Sequence, residues 1–389
     1  MTTGTLNQTK QWLIAIETDN QAAIQAFLES GQDVNEANVD GVTACMRAAF
    51  NGYDRLLKQL IELNANVNAK DVNGNTAFLG AVNRGKLSAV EILLRAGVDV
   101  NQRNRAGNAG LHDAARKKNV KMIKLLLKHG ANPNLPDNHG FTPLMYSTGN
   151  LAAVDALLAG GAQLDVASAN GTTALIKAGF RGRTDVLKRL LEAGADVNRQ
   201  NNDGETALCI AASQGRADAV NLLITHGAEV NHKNSFGRTA LMVATQSGHC
   251  ETAIALLKQG ANAVESDGDG RVIFLDAVKT ENLDVISHCL KSGASIDSTN
   301  LNGETALFHE SFDGSAGVMN FLIEHGANVN LQNNSGMTPL MMAAIGGNVL
   351  MIDKLILAGA SLALRDDNDK TAMDHAGTDE ARTALSRYL

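Results

Sequence analysis

GTTALIKAGFRGRTDVLKRLLEAGADVN, residues 171–198, holds a complete cycle of the pattern that decides the fold. It opens on Gly171 and has Thr173 two residues later. Gly182 stands in the middle, the apolar pair Leu190-Leu191 follows, and Gly194-Ala195-Asp196-Val197-Asn198 closes it. Each landmark has a physical role. A Thr hydroxyl can cap free N–H groups at the start of a short helix. A mid-cycle Gly can take the left-handed conformation that ends that helix. Leucines at helical spacing form the buried stripe of a second helix. A terminal Gly then releases the chain into a turn-rich hairpin.

The same cycle runs along the chain in both directions. Glycines recur at 41, 74, 107, 140, 171, 204, 237, 270, 303 and 336, spaced by 33 residues except for 31 between Gly140 and Gly171. One more step lands on Asp369. Thr43, Thr76, Thr142, Thr206, Thr239, Thr305 and Thr338 repeat the Thr position, and Pro143 and Pro339 follow two of them. Pro is favourable there because the first-turn N–H is unsatisfied anyway. Paired alanines such as Ala48-Ala49 and Ala211-Ala212 allow neighbouring helices to approach closely. No single cycle can bury its apolar face alone, so the units must stack.

A period of 33 residues with these landmarks resembles the ankyrin repeat. The resemblance implies an all-α solenoid of stacked helix-turn-helix units joined by hairpin loops, curved around a concave groove. It reads as one domain over 1–389, with an N-terminal cap at 6–37, ten repeats over 38–365 and a C-terminal cap at 366–389. In the first cap, Trp12 is expected to seal the core. The family usually binds other proteins with its hairpin tips and first-helix ends. Carried onto this chain, those positions hold Arg84, Arg105, Arg116, Lys117, His139, Phe141, Tyr146, Phe180, Arg181, Phe236 and Arg238. Phe and Arg are enriched at interfaces.

Composition supports a thin helical core. Of 389 residues, 44% are hydrophobic but only 4% aromatic, so small aliphatic residues must fill the interior. The formal net charge of −7 argues against nucleic-acid binding by bulk electrostatics. The charge is unevenly spread: nine basic residues lie between Arg95 and Lys128, while Glu265–Glu380 holds eighteen acidic residues against six basic ones. A second reading therefore keeps nucleic acid or a phosphorylated ligand on the basic patch of repeats two to five. Cys45, Cys209, Cys250 and Cys289 lie far apart and suit reduced thiols in a cytoplasm. No signal-peptide core or membrane-length apolar run is visible.

Chemistry is sparse. The stretch Glu265–Asp276 is similar to a calcium loop, but Gly270 is the in-register repeat glycine and the last ligand would be Asp. An acidic hairpin tip is the expected reading. His112 occupies the position of the family's structural His. Neither a catalytic constellation nor a cofactor motif stands out, so the expectation is a non-catalytic protein, monomeric on its own, without metal or cofactor. Two irregularities remain. Repeat four lacks two residues, which predicts a shortened inter-helix turn. Lys118 and Glu281 replace the inter-helix Gly and are followed by Asn119 and Asn282, which predicts slight strain or a turn shifted by one residue.

Overall fold

Thr hydroxyls start most of the first helices as their spacing predicts, Thr142 being the exception that makes no cap bond. In the computed structural model, which describes residues 3–267 and 270–389, Thr43 Oγ1 accepts from Met46 N–H at 3.4 Å and Thr338 Oγ1 from Met341 N–H at 3.2 Å. Each capping Thr has extended backbone and each next residue is helical. Two compact units result, Met1–Asn201 and Asn202–Leu389.

The first unit holds six helix pairs: α1 (Thr3–Glu17) with α2 (Gln21–Glu29), α3 (Ala44–Asn51) with α4 (Asp54–Glu62), α5 (Ala77–Asn83) with α6 (Leu87–Arg95), α7 (Gly110–Arg116) with α8 (Val120–Lys128), α9 (Pro143–Ser147) with α10 (Leu151–Ala159), and α11 (Ala174–Arg181) with α12 (Thr184–Glu192). The second unit holds α13 (Ala207–Ser213) with α14 (Ala217–Thr225), α15 (Ala240–Gln246) with α16 (Cys250–Lys258), α17 (Ile273–Lys279) with α18 (Leu283–Lys291), α19 (Ala306–Asp313) with α20 (Ala316–Glu324), α21 (Pro339–Ile345) with α22 (Val349–Leu357), and a final α23 (Asp379–Ser386). Among the described residues there is no strand, only isolated bridges such as Ala37 with Thr43.

Within each unit, first helices pack on first helices and second on second. Ala48, Ala49, Ala211 and Ala212 are fully buried between first helices. Leu57, Leu93 and Leu126 are fully buried from second helices, each contributing roughly 1.5–3 kcal/mol. The Asn of the recurring Val-Asn motif ties neighbours together. Asn101 Oδ1 accepts from Asn132 N–H at 2.8 Å, and Asn101 Nδ2 donates to Gly130 O at 3.3 Å. Asn330 makes the same pair of bonds to Ser361 N–H and Gly359 O in the second unit. Hairpin tips are also zipped, as where Arg105 N–H donates to Asn73 O at 2.9 Å.

Two expectations need correction, and of the two alternatives for Lys118 and Glu281 the strained turn holds. The two residues missing from repeat four come out of the helix: α9 has five residues, and three still separate it from α10, as between α5 and α6. Reversal needs those connecting residues, whereas a helix can end about half a turn early. Lys118 and Glu281 take the left-handed conformation themselves, at φ 57° and 54°. Asn119 and Asn282 instead cap the next helix, accepting from Met122 N–H and Val285 N–H. Gly149 and Gly314, at inter-helix positions, are not left-handed.

Candidate functional site

α7, α9 and α11 present their polar faces side by side in the first unit. Arg116, at the end of α7, is held by Asp113 Oδ1 at 2.8 Å and Asn108 Oδ1 at 3.1 Å. Its guanidinium lies 4.4 Å from the Tyr146 ring centroid, over α9. Phe141 packs beside Tyr146 with centroids 5.8 Å apart. From α11, the Lys177 ammonium sits 4.1 Å from the Phe141 centroid and 5.3 Å from that of Tyr146. Two cations therefore share two rings, each contact contributing about 0.5–2 kcal/mol depending on how dry it is.

Asp137 anchors the rings. Its Oδ2 accepts from the Tyr146 hydroxyl at 2.6 Å, and its Oδ1 accepts from His139 N–H at 2.8 Å and Phe141 N–H at 3.0 Å. Burial alone raises the pKa of Asp137, but these donors outweigh it and hold the carboxyl below its ordinary value. Burial and then the same hydrogen bond push Tyr146 up. Burial first, then the Arg181 and Arg116 charges, lower Lys177 despite Asp137. His112 is fully buried below. Ala109 N–H donates to its Nδ1 at 3.0 Å, so Nε2 carries the proton and donates to Phe141 O at 3.2 Å. Burial lowers its pKa and favours this neutral form.

The remaining first-unit residues flank this network. The Arg84 guanidinium lies 4.3 Å over Phe50, and Lys117 Nζ donates to Asn83 Oδ1 at 3.2 Å. Arg105 and His139 stand exposed at hairpin tips. Phe180 is 53% exposed beside exposed Arg181. A recess of about 470 Å³ runs between Arg116, Asp113, Asn83, Phe50 and Met46.

A family profile described as ankyrin repeats (3 copies) matches residues 12–104, 78–168, 111–201, 175–267 and 274–379. The chain belongs to the ankyrin repeat family. Compared with curated proteins, the chain has no match. Ankyrin repeats are in general protein–protein interaction modules, and the family is typically non-catalytic.

In ankyrin terms, Phe236 and Arg238 are hairpin-tip residues of the second unit. Phe236 is 60% exposed, while Arg238 Nε lies 3.4 Å from buried Asp267 Oδ2. Lys177 was not anticipated from sequence, although it lies four residues before Arg181 and so shares its helix face. No cluster of three metal-binding side chains occurs among the described residues. Within the calcium-loop resemblance, Asp269 lies outside the described residues, Asp267 Oδ1 accepts from Arg271 N–H, and Asp276 pairs with Lys279 at 3.1 Å. Among the described residues, no helix is long and apolar enough to cross a membrane.

Proposed function

We propose that this ankyrin repeat protein recognises a partner protein on the inner face of its first unit, as an adaptor, scaffold or inhibitor. The stacking of Arg116 and Lys177 on Tyr146 and Phe141 carries the reading. Each of these side chains is held by neighbours before any partner arrives, so little ordering entropy is lost on binding. Exposed Phe180 offers an apolar anchor at the edge of this surface. Arg84, Arg105, Lys117 and His139 extend it across neighbouring repeats of that unit, while Phe236 with Arg238 would offer hairpin-tip contacts on the second unit taken by itself.

Nucleic acid or a phosphorylated ligand draws less support. Lys121, Lys124 and Lys128 are exposed on the second helix α8, whereas Arg116 and Lys117 belong to the end of α7, so the basic run is divided between two faces. The four cysteines are free thiols and three are buried, which supports a reducing cytoplasm. The test is affinity capture from native extract with the wild-type chain and with Phe180→Ala/Lys177→Ala. Loss of captured protein in the variant is expected. Identical capture overturns the inner-face assignment.

A further inference from the structure

We infer that the shortened fourth repeat forms a cationic notch that accepts an acidic segment of the partner protein, a deepening of the inner-face reading on which it rests. The notch follows from what α9 lacks. Its neighbours end their first helices in Arg116-Lys117 and Phe180-Arg181. Helix α9 stops at Ser147, and buried Gly149 lies where the chain turns. Side chains from both neighbouring repeats lean over the vacated place. A Cβ built on Gly149 would lie 3.3 Å from Arg181 Nη1 and 3.6 Å from Lys118 Nζ.

These charges are not neutralised by the protein. Arg183 also reaches this point, donating to Gly149 O at 2.9 Å, but Asp185 pairs with it through two hydrogen bonds. Among the described residues, no carboxylate pairs with Lys118 or Arg181. Lys177, one turn before Arg181, likewise rests on aromatic rings rather than on an acid. Two cations held against one point repel each other, and an anion between them relieves the repulsion.

The notch continues along the same edge. A recess of about 540 Å³ is lined by Arg84, Lys86 and Lys117 with asparagines and Phe50, and contains no carboxylate. Positive groups therefore recur from the second repeat to the fifth, at a spacing of about 8–10 Å per stacked helix. Exposed Phe180 borders Arg181 and supplies an apolar contact. Carboxylate side chains interrupted by apolar ones match this order.

Lys118 makes the idea separable from folding. It sits at φ 57°, where Gly52, Gly85 and Gly182 take the corresponding left-handed turn. Lys118→Gly thus removes backbone strain together with the charge. The probe is a fluorescent peptide of repeated Glu-Glu-Leu, titrated with the full chain at low salt and followed by anisotropy. Expected results are saturable binding that weakens with salt, and affinity lower by about threefold to fivefold in Lys118→Gly while its urea midpoint rises. Lys121→Ala, on the exposed face of α8, should bind like wild type. Unchanged affinity in Lys118→Gly overturns the notch, as does an equal loss in Lys121→Ala. Tighter, Lys118-dependent binding of a single-stranded oligonucleotide of equal charge overturns the acidic-peptide assignment. If Phe180→Ala/Lys177→Ala abolishes capture while Lys118→Gly changes nothing, the notch fails and the inner-face reading stands.

Discussion

The Tyr146 hydroxyl donates to Asp137 Oδ2 at 2.6 Å, tying the first helix of the fourth repeat to the hairpin that leads into it. This bond positions the ring on which Arg116 and Lys177 rest. It also helps hold the Asp137 carboxyl below its ordinary pKa. A depressed carboxyl contributes stability above its unfolded value of about 3.9, and the contribution is lost as pH falls through the folded value. Tyr146→Phe should therefore cost about 1.5 kcal/mol at pH 7, the low end for a hydrogen bond to a charged group. The difference from wild type should shrink as pH falls through the folded value of Asp137. Urea titrations at about pH 7 and over a descending acid series measure this, and a difference that persists once the carboxyl is protonated would assign the loss to packing instead.

Glu281 carries a left-handed backbone at φ 54°, in the same place as Lys118 but in the second unit. An L side chain there costs about 1–2 kcal/mol relative to Gly. Glu281→Gly should raise the unfolding free energy by about 1 kcal/mol, part of the gain being offset by the more flexible unfolded chain. The reverse change has the opposite sign. Gly52→Ala places a Cβ 2.9 Å from Lys86 Cδ at φ 79° and should destabilise the first unit. Paired denaturation curves decide the matter; equal midpoints for Glu281→Gly and wild type would refute the strain argument.

Repeat identity and most helix starts and ends were legible because each depends on one residue's local chemistry. Thr43 accepts from Met46 N–H at the start of α3, and Gly52 and Gly182 turn left-handed for want of a Cβ, though Gly149 and Gly314 do not. The fate of the deletion was not legible. Removing two residues from a cycle leaves open whether helix or turn yields, and only the packed neighbours of α9 determine that. Lys177 was missed for a related reason. Its helix face follows from spacing, but the rings beneath it come from the preceding repeat, 36 and 31 residues earlier at Phe141 and Tyr146. Cross-repeat contacts of this kind depend on stacking geometry that no single cycle encodes. The same holds for Lys118, which reads as a turn residue until Gly149 is seen beneath it.

Glu310 is a buried carboxylate whose Oε2 accepts from Ser315 N–H at 2.9 Å. Burial raises its pKa, and the charges of Glu281 and Asp313 add to this against the single backbone donor. A carboxyl raised in the folded state has its full stability below the unfolded value of about 4.3 and loses it as pH rises through the folded value. The ionised form is thus a cost at neutral pH. Glu310→Gln keeps an acceptor for Ser315 and removes the charge. It should stabilise the second unit at pH 8 and be neutral near pH 4. A stabilisation independent of pH would show that shape, not charge, decides this position.

Trp12 is the chain's single tryptophan, fully buried, with its ring 5.7 Å from that of Phe27. Both belong to the first helix pair, so Trp fluorescence reports that terminal layer, whereas far-UV circular dichroism sums over every helix. In a stack, stability is a sum of each unit and its nearest-neighbour interfaces. Phe27 is half-buried, so Phe27→Ala should cost that layer about 2 kcal/mol, below the range for a fully enclosed ring. The expected signature is a fluorescence transition displaced to lower urea while the main dichroism transition stays in place. The displaced transition means that the first pair can melt while the remaining repeats stay stacked. If both signals shift together by the same amount, the layer is coupled to the rest strongly enough to unfold with it, and its nearest-neighbour interface must exceed the stability lost with the Phe27 ring.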